Sequence, residues 1–374
     1  PTLKANAQLV VVDVTVTDSK QDPIHNLKAA DFTLTENGSP QQLIGFEEHS
    51  ALSPAQAAKM PSMPTLPPGI FTNFTSIPPG GAVNVLLLDA LNTTMKDQSY
   101  VRDQLLEFLK NTPVGTRIAR FVLTKRLFML QGFTSDLTLL KAVVERSIPG
   151  SPMLLTDSTG THDSVGNGGT PVASDVMSSI AGPDMIELIS NVKQSEAMQA
   201  ATDTQNRAKQ TLDALNQLAH YLSGIPGRKN LIWFSGSFPI TIFPDQSVAH
   251  PFAVVASAEE EFRETASLLA RARVAVYPID ARGLQTHQVA IANDSGPQSS
   301  GKGFTMAQDK LFQDNASEHG AMLQMAADTG GHAFVDTNGL SDATIRAIDG
   351  GSNFYTLSYT PTDSRQNGAF RKIQ

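Results

Sequence analysis

Ala82–Tyr100 reads AVNVLLLDALNTTMKDQSY, and this stretch decides the fold. Val83–Leu88 is a short run rich in Val and Leu, as expected of a strand buried on both faces. It ends at a carboxylate, Asp89, and Asn92 and Thr93 follow at once. Asp97–Lys110 then carries Val101, Leu105, Phe108 and Leu109 on one helical face. A strand, a polar loop with one acid and a helix make the first unit of an α/β fold. In open parallel sheets, ligands bind beyond such carboxyl ends. Asp89, Asn92 and Thr93 are therefore the first candidate binding residues.

Further along the chain the same alternation continues. Arg117–Leu123 and Phe128–Gln131 read as strands joined by the basic turn Thr124-Lys125-Arg126, which would supply one antiparallel edge. Ser135–Arg146 reads as a short helix capped by Thr134 or Ser135. In Asp184–Tyr221 the residues Ala208, Leu212, Leu215 and Ala219 form one apolar stripe, which Leu222 extends. Asn230–Phe234 and Val274–Ile279 are two more buried strands, and the second ends at Asp280. Between them, Ala256–Arg273 is a helix with acids at its start and Arg at its end, the polarity that the helix dipole favours. Ala316–Thr329 is a helix closed by Gly330-Gly331, followed by a short strand at His332–Val335, a helix at Ser341–Ile348 and a last strand at Phe354–Tyr359. This order predicts a doubly wound, mostly parallel sheet with helices on both faces.

Towards the N-terminus the pattern changes. Leu9–Thr17 ends in the alternation of a half-buried strand, and Asp31–Phe46 reads as a hairpin turning at Asn37-Gly38. These strands are too few to stand alone. Residues 1–49 are thus expected to form a small β-domain that recruits a strand from elsewhere, with 364–374 (Gly368–Gln374 in particular) as the expected contributor. Residues 50–81 hold seven prolines and read as a linker. The α/β domain spans 82–363, with polar inserts at about 149–182 and 286–314.

Composition narrows the function. The chain has 374 residues, 40% of them hydrophobic, which permits a large core. A net charge of −8 without a basic run argues against nucleic acid or an anionic membrane as partner. No apolar run approaches the ~20 residues of a transmembrane helix. Cysteine is absent, which removes disulfides, thiolate metal sites and thiol catalysis. PTLKAN lacks a basic n-region and an apolar h-region, so the protein is either cytosolic or has lost a signal peptide ahead of Pro1.

VNVLLLDALNT, QGFTSD, PGRKNLIWFSGSFP, VAVYPIDARGL, AADTGGHAF and YTLSYTP, in this order, resemble a von Willebrand factor type A domain. More narrowly they resemble the von Willebrand factor A-related family of secreted acidobacterial proteins, in which a β-rich segment like VVVDVTVTD and NLKAADFTLTENGSPQQLIGFE precedes the A domain. The resemblance implies a secreted or periplasmic protein of the cell envelope, a chain continuing past Gln374, and a protein or extracellular ligand as partner. It also implies a metal-ion-dependent adhesion site, in which Asp-x-Ser-x-Ser, a distant Thr and a second Asp hold a divalent cation such as Mg²⁺, Mn²⁺ or Ca²⁺ through oxygen atoms. Asp89 matches the first acid and Thr93 the fifth position, so these two are the expected metal ligands. Leu91 stands at the third position and offers no oxygen. Thr156 and Thr170 are both candidates for the distant Thr. Ser235-Gly236-Ser237 stands where the family pattern has the second acid, and Ser235 and Ser237 join Asp89, Asn92 and Thr93 as expected ligand-binding residues. The resemblance thus implies a degenerate adhesion site.

Ordinary structural roles compete at each position. Asp89 could cap its own loop, Asn92 and Thr93 are common turn residues, and Asp280 is placed to pair with Arg282. Gly296–Lys302 approaches a phosphate-binding loop, but Gly303 stands where the Mg²⁺-binding Ser or Thr is needed. There is neither an HExxH nor a GxSxG motif. His319 and His332 read as helix-end residues and Trp233 as core. The expectation is a non-catalytic interaction or adhesion module. The alternatives are a hydrolase using Asp89 and Asp280 across one crevice, or a purely structural envelope domain.

Overall fold

The fold is described from a computed structural model, for residues 9–19, 22–50, 82–113, 115–147, 185–238, 240–242, 249–250, 256–284, 302–363 and 371–374. The linker from residue 51 onward, the insert at 149–182 with Thr156 and Thr170, and the Gly296–Gly301 loop lie outside these residues.

Five strands make the main sheet, while the short β9 (Thr241–Ile242) and β10 (Ala256–Ser257), among the described residues, pair only with each other. The five are β5 (Val83–Asp89), β6 (Ile118–Leu123), β7 (Leu127–Thr134), β8 (Lys229–Ser235) and β11 (Val274–Asp280), in the spatial order β11-β8-β5-β6-β7. All neighbours are parallel except β6 and β7, so β7 is the antiparallel edge expected from its tight basic turn. β5, β8 and β11 are buried along their whole length, which is why their sequences are continuous apolar runs rather than alternating ones. Phe334 forms a single parallel bridge to Ile279 and extends the sheet beyond β11. This close approach requires glycine nearby: a Cβ on Gly331 would stand 1.9 Å from the Val276 carbonyl oxygen.

Helices cover both faces. On one face α1 (Met95–Asn111), α2 (Leu137–Arg146) and α6 (Leu340–Ser352) pack Val101, Leu105, Phe108, Leu140 and Ala343 against Leu86, Leu88, Ile232 and Tyr277. On the other face α3 (Ile186–Ser223), α4 (Glu259–Arg271) and α5 (Lys302–Thr329) pack Leu215, Leu218, Phe262, Leu269 and Met325 against Val85, Leu87 and Trp233. Thr94 caps α1 through its side chain. The cap of α2 is Asp136, whose Oδ1 accepts from the amides of Thr138 and Leu139 at 2.9 and 3.1 Å, and not Thr134 or Ser135. A carboxylate one residue further on satisfies two orphan amides at once. Helix α5 starts fourteen residues earlier than its apolar stripe indicated, at Lys302 instead of Ala316. The segment 302–315 is free of Pro and its run Met306-Ala307-Gln308, with Lys310, Leu311 and Gln313, has the propensity to extend it.

The small sheet corrects the reading of the last strand. β12 (Phe354–Tyr359) does not join the parallel sheet. It is the middle strand of an antiparallel sheet ordered β1-β12-β4, with β1 at Val10–Val14 and β4 at Leu43–His49. In FYTLSY, the buried Tyr355, Leu357 and Tyr359 alternate with the half-buried Thr356 and Ser358, and this period suits a sheet with one covered face. β2 (Leu34–Glu36) and β3 (Ser39–Gln41) form a separate hairpin, with Asn37 and Gly38 at φ 50° and 79° in its turn. Ile373 bridges Glu36, and the backbones of Thr35 and Gln374 exchange hydrogen bonds at 2.7 and 2.9 Å. Two separate C-terminal segments therefore pair with the N-terminal strands.

Candidate functional site

Strand order reverses at β5. The chain leaves it towards β6 and later returns on its other side as β8, so the crevice between the two carboxyl ends is where an open α/β sheet offers a binding site. Asp89 closes β5, Ser235 closes β8 and Asp280 closes β11. The register sets Asp280 beside Ser235, so all three lie at the same end of the sheet.

Asp89 is fully buried. Its Oδ1 accepts from the Asn92 amide at 3.1 Å, and its Oδ2 accepts from Asn92 Nδ2 at 2.8 Å and Ser235 Oγ at 2.9 Å. Burial pushes its pKa up to about 6, with the bonds from Asn92 and Ser235 opposing the rise. Thr93 Oγ1 donates to the Asp89 carbonyl oxygen at 2.6 Å and accepts from the Gly236 amide at 3.0 Å. A Cβ on Gly236 would come within 3.0 Å of the Asn92 carbonyl oxygen, so the loop after β8 rests directly on the loop after β5. Asn92 also donates to Thr211 Oγ1 at 2.8 Å and accepts from Arg207 Nη1 at 3.3 Å, both on α3. Leu91 is buried in the core beneath α3 and does not face the crevice.

The other half of the crevice is ionic. Asp280 is fully buried and holds Arg282 in a two-pronged pair, Nε to Oδ1 at 3.0 Å and Nη2 to Oδ2 at 2.9 Å. This is the pairing their spacing suggested. Arg282 Nη1 continues to Asn315 Oδ1 at 2.9 Å and Glu318 Oε2 at 2.8 Å on α5. Ser237 Oγ donates to the other Glu318 oxygen at 2.5 Å. His319 Nε2 lies 2.8 Å from Asp280 Oδ2, so His319 is a crevice residue and not a helix-end one. Its placement follows from the early start of α5, which puts it inside the helix. The Asp280 contact raises the His319 pKa against the effect of burial. For Asp280, burial raises the pKa, but His319 and Arg282 together outweigh it and hold the carboxyl below the usual value. Burial pulls Arg282 down, and Glu318 and Asp280 more than reverse this.

The five expected ligand-binding residues are thus brought together. Asp89, Asn92, Thr93 and Ser235 are buried beneath the surface, and Ser237 is half-buried. Among the described residues no group of three or more His, Asp or Glu side chains is arranged to hold a metal ion. The oxygens of Asp89 point at protein donors, and a guanidinium lies beyond Asn92. Among the described residues the donor set does not fit a divalent cation, which needs several free oxygens at once.

No protein-family model matches the chain, and no curated protein does. Solved structures with a similar arrangement include an aerotolerance-related membrane protein from Bacteroides fragilis, at 12% identity and a TM-score of 0.33, covering 71% of this chain and 98% of that one. Proximal thread matrix protein 1 from the mussel byssus, in a form described as having a zinc-occupied MIDAS motif, is 10% identical with a TM-score of 0.31, covering 75% of this chain and 47% of that one. The N-terminal domains of the type V pili tip protein Mfa5 from Porphyromonas gingivalis are 9% identical with a TM-score of 0.35, covering 95% of this chain and 57% of that one. Similarity at this level carries no information about ligand or partner.

Proposed function

We propose that the chain is a non-catalytic interaction module that engages a protein or extracellular ligand at the carboxyl end of its parallel sheet, over a degenerate adhesion site. The observation that carries this reading is the saturation of the crevice acids. Asp89 and Asp280 have no exposure, and all four of their carboxylate oxygens accept hydrogen bonds from fixed protein donors. A general acid or base must reach a substrate proton, and these two do not reach solvent. The half-buried rim of Thr94, Asp97, Ser237 and His319 is then the surface open to a partner.

One observation favours the hydrolase alternative: the pKa of Asp89 is raised while that of Asp280 is lowered, the split expected of an acid–base pair. Their burial weighs against it. The motif order supports a place among the secreted acidobacterial A-related proteins, and a secreted or periplasmic location accompanies that placement. Within it, residues 1–49 together with β12 and residues 371–374 act as a small β-domain, joined by the 50–81 linker to an A domain that runs from residue 82 to the end of α6 rather than to 363.

A photo-crosslinker placed at Ser237, compared with one at Lys110 at the far end of α1, tests the reading. Incubated with extracellular protein extract, the Ser237 position should yield discrete adducts and the Lys110 position none. Equal labelling from both positions, or turnover of p-nitrophenyl esters, phosphates or glycosides that Asp280→Asn abolishes, would contradict it.

A further inference from the structure

Arg207 is the deepest cation of the crevice. It leaves α3 one turn before Thr211 and is only 3% exposed. Its Nη1 donates to Asn92 Oδ1 at 3.3 Å and its Nη2 to Thr204 Oγ1 at 3.3 Å. Burial lowers its pKa, and the nearby Glu318, Asp89 and Asp203 carboxylates oppose that fall without reversing it. Asn92 completes a relay, accepting from Arg207 through Oδ1 while its Nδ2 donates to Asp89. Among the described residues Arg207 Nε has no hydrogen-bond partner, so the group is held there by charge and packing rather than by a saturated bonding shell.

We propose that the guanidinium of Arg207, seconded by that of Arg282, is the resident cation of this crevice and stands in place of the divalent ion that a type A domain would hold there. Asp89, Asp280 and Glu318 face Arg207, Arg282 and His319, so the acids already have cationic partners within the chain. A divalent ion beside Asp89 would have to displace protein donors from its carboxylate and lie close to a buried positive charge. An arginine can act here because its charge persists in a low-dielectric site and its planar fork spreads over several acceptors. The consequence is independent of which partner binds: the crevice is assembled by folding alone and is indifferent to metal.

The test is Mn²⁺ uptake, read from loss of the free-ion electron paramagnetic resonance signal, together with melting temperature in EDTA and in excess Mg²⁺, Mn²⁺ or Ca²⁺. The full chain should leave the Mn²⁺ signal undiminished and melt at one temperature in all four conditions. Arg207→Ala should melt lower and be raised again by a divalent cation or by a low concentration of ethylguanidinium, neither of which moves the wild type. Arg207→Lys keeps the charge and should remain indifferent to metal, and it serves if Arg207→Ala does not fold. Uptake of one equivalent of Mn²⁺ by the wild type that Asp89→Ala abolishes would overturn the proposal. So would an Arg207→Ala protein that melts with the wild type and responds to no cation.

Discussion

Ser235 Oγ stands 2.9 Å from Asp89 Oδ2 and 2.8 Å from the Ser237 carbonyl oxygen. The hydroxyl has one proton, so it serves one of these acceptors at a time. With Asp89 ionised it donates to the carboxylate. With Asp89 protonated it can accept from the acid and donate to Ser237. The tips of β5 and β8 are tied together in either state.

Ser235→Ala removes that tie and leaves Asp89 Oδ2 with one donor. The expected cost is about 1–2 kcal/mol in urea denaturation at pH 7, the range for a lost buried hydrogen bond. The Asp89 pKa should move further above its value of about 6, visible as a carboxyl shift in NMR titration.

Stability should peak at weakly acid pH. Asp89 has a folded pKa of about 6 against 3.8 for the free side chain, so its contribution is complete below about pH 4 and lost as pH rises through 6. The full swing from this one group is about 3 kcal/mol. His319 is also raised, so its contribution is complete below its ordinary 6.5 and lost at higher pH. Asp280 is lowered, so its contribution is present above 3.8 and lost as pH falls below that. Melting temperature should therefore climb from pH 8 to about 5 and fall below 4, and Asp89→Asn should flatten the interval between 4 and 7.

Leu91→Ser restores the spacing Asp-x-Ser-x-Thr, yet should create no metal site. Leu91 is 3% exposed and packs with Leu212 and Leu215 of α3. Its loss should cost about 2–5 kcal/mol, as for other large-to-small core changes. The variant should melt lower than wild type and by the same amount in EDTA and in Mg²⁺.

At the opposite end of the sheet, Arg273 holds Asp13 of β1 through Nε at 2.8 Å and Nη2 at 2.7 Å, and Thr356 Oγ1 of β12 donates to the same carboxylate at 2.8 Å. Arg273 lies at φ 55°, which Asn tolerates better than most residues. Arg273→Asn thus isolates the ion pair from the backbone strain. Because Arg273 is partly exposed, the expected loss is about 1–2 kcal/mol, with faster amide exchange concentrated in β1 and β12.

The main sheet was legible because a parallel strand covered on both faces must be apolar along its middle, as Val85–Leu88, Leu231–Phe234 and Val274–Ile279 are. The position of Asp89 at a strand end followed directly. The placement of β12 was not read, although the alternation in FYTLSY set it apart from those runs; chain order alone assigned it to the wrong sheet. The residues reaching into the crevice from α3 and α5 were also missed. Asn92 and Arg207 are separated by 115 residues, and no local pattern joins them. A signal was nonetheless present: Asp203, Arg207 and Thr211 recur one turn apart beside the apolar stripe of α3, a polar row on a face that is buried. Polar groups so placed need partners, and the partners are the loop after β5.

The account rests on a crevice whose cations belong to the chain. Crystals of the full chain soaked in Mn²⁺ and measured at the manganese absorption edge test it most directly. The predicted result is no anomalous peak beside Asp89, with the Arg207 guanidinium against Asn92. A peak within the ~2.0–2.6 Å coordination range of Asp89 and Thr93 oxygens would contradict it.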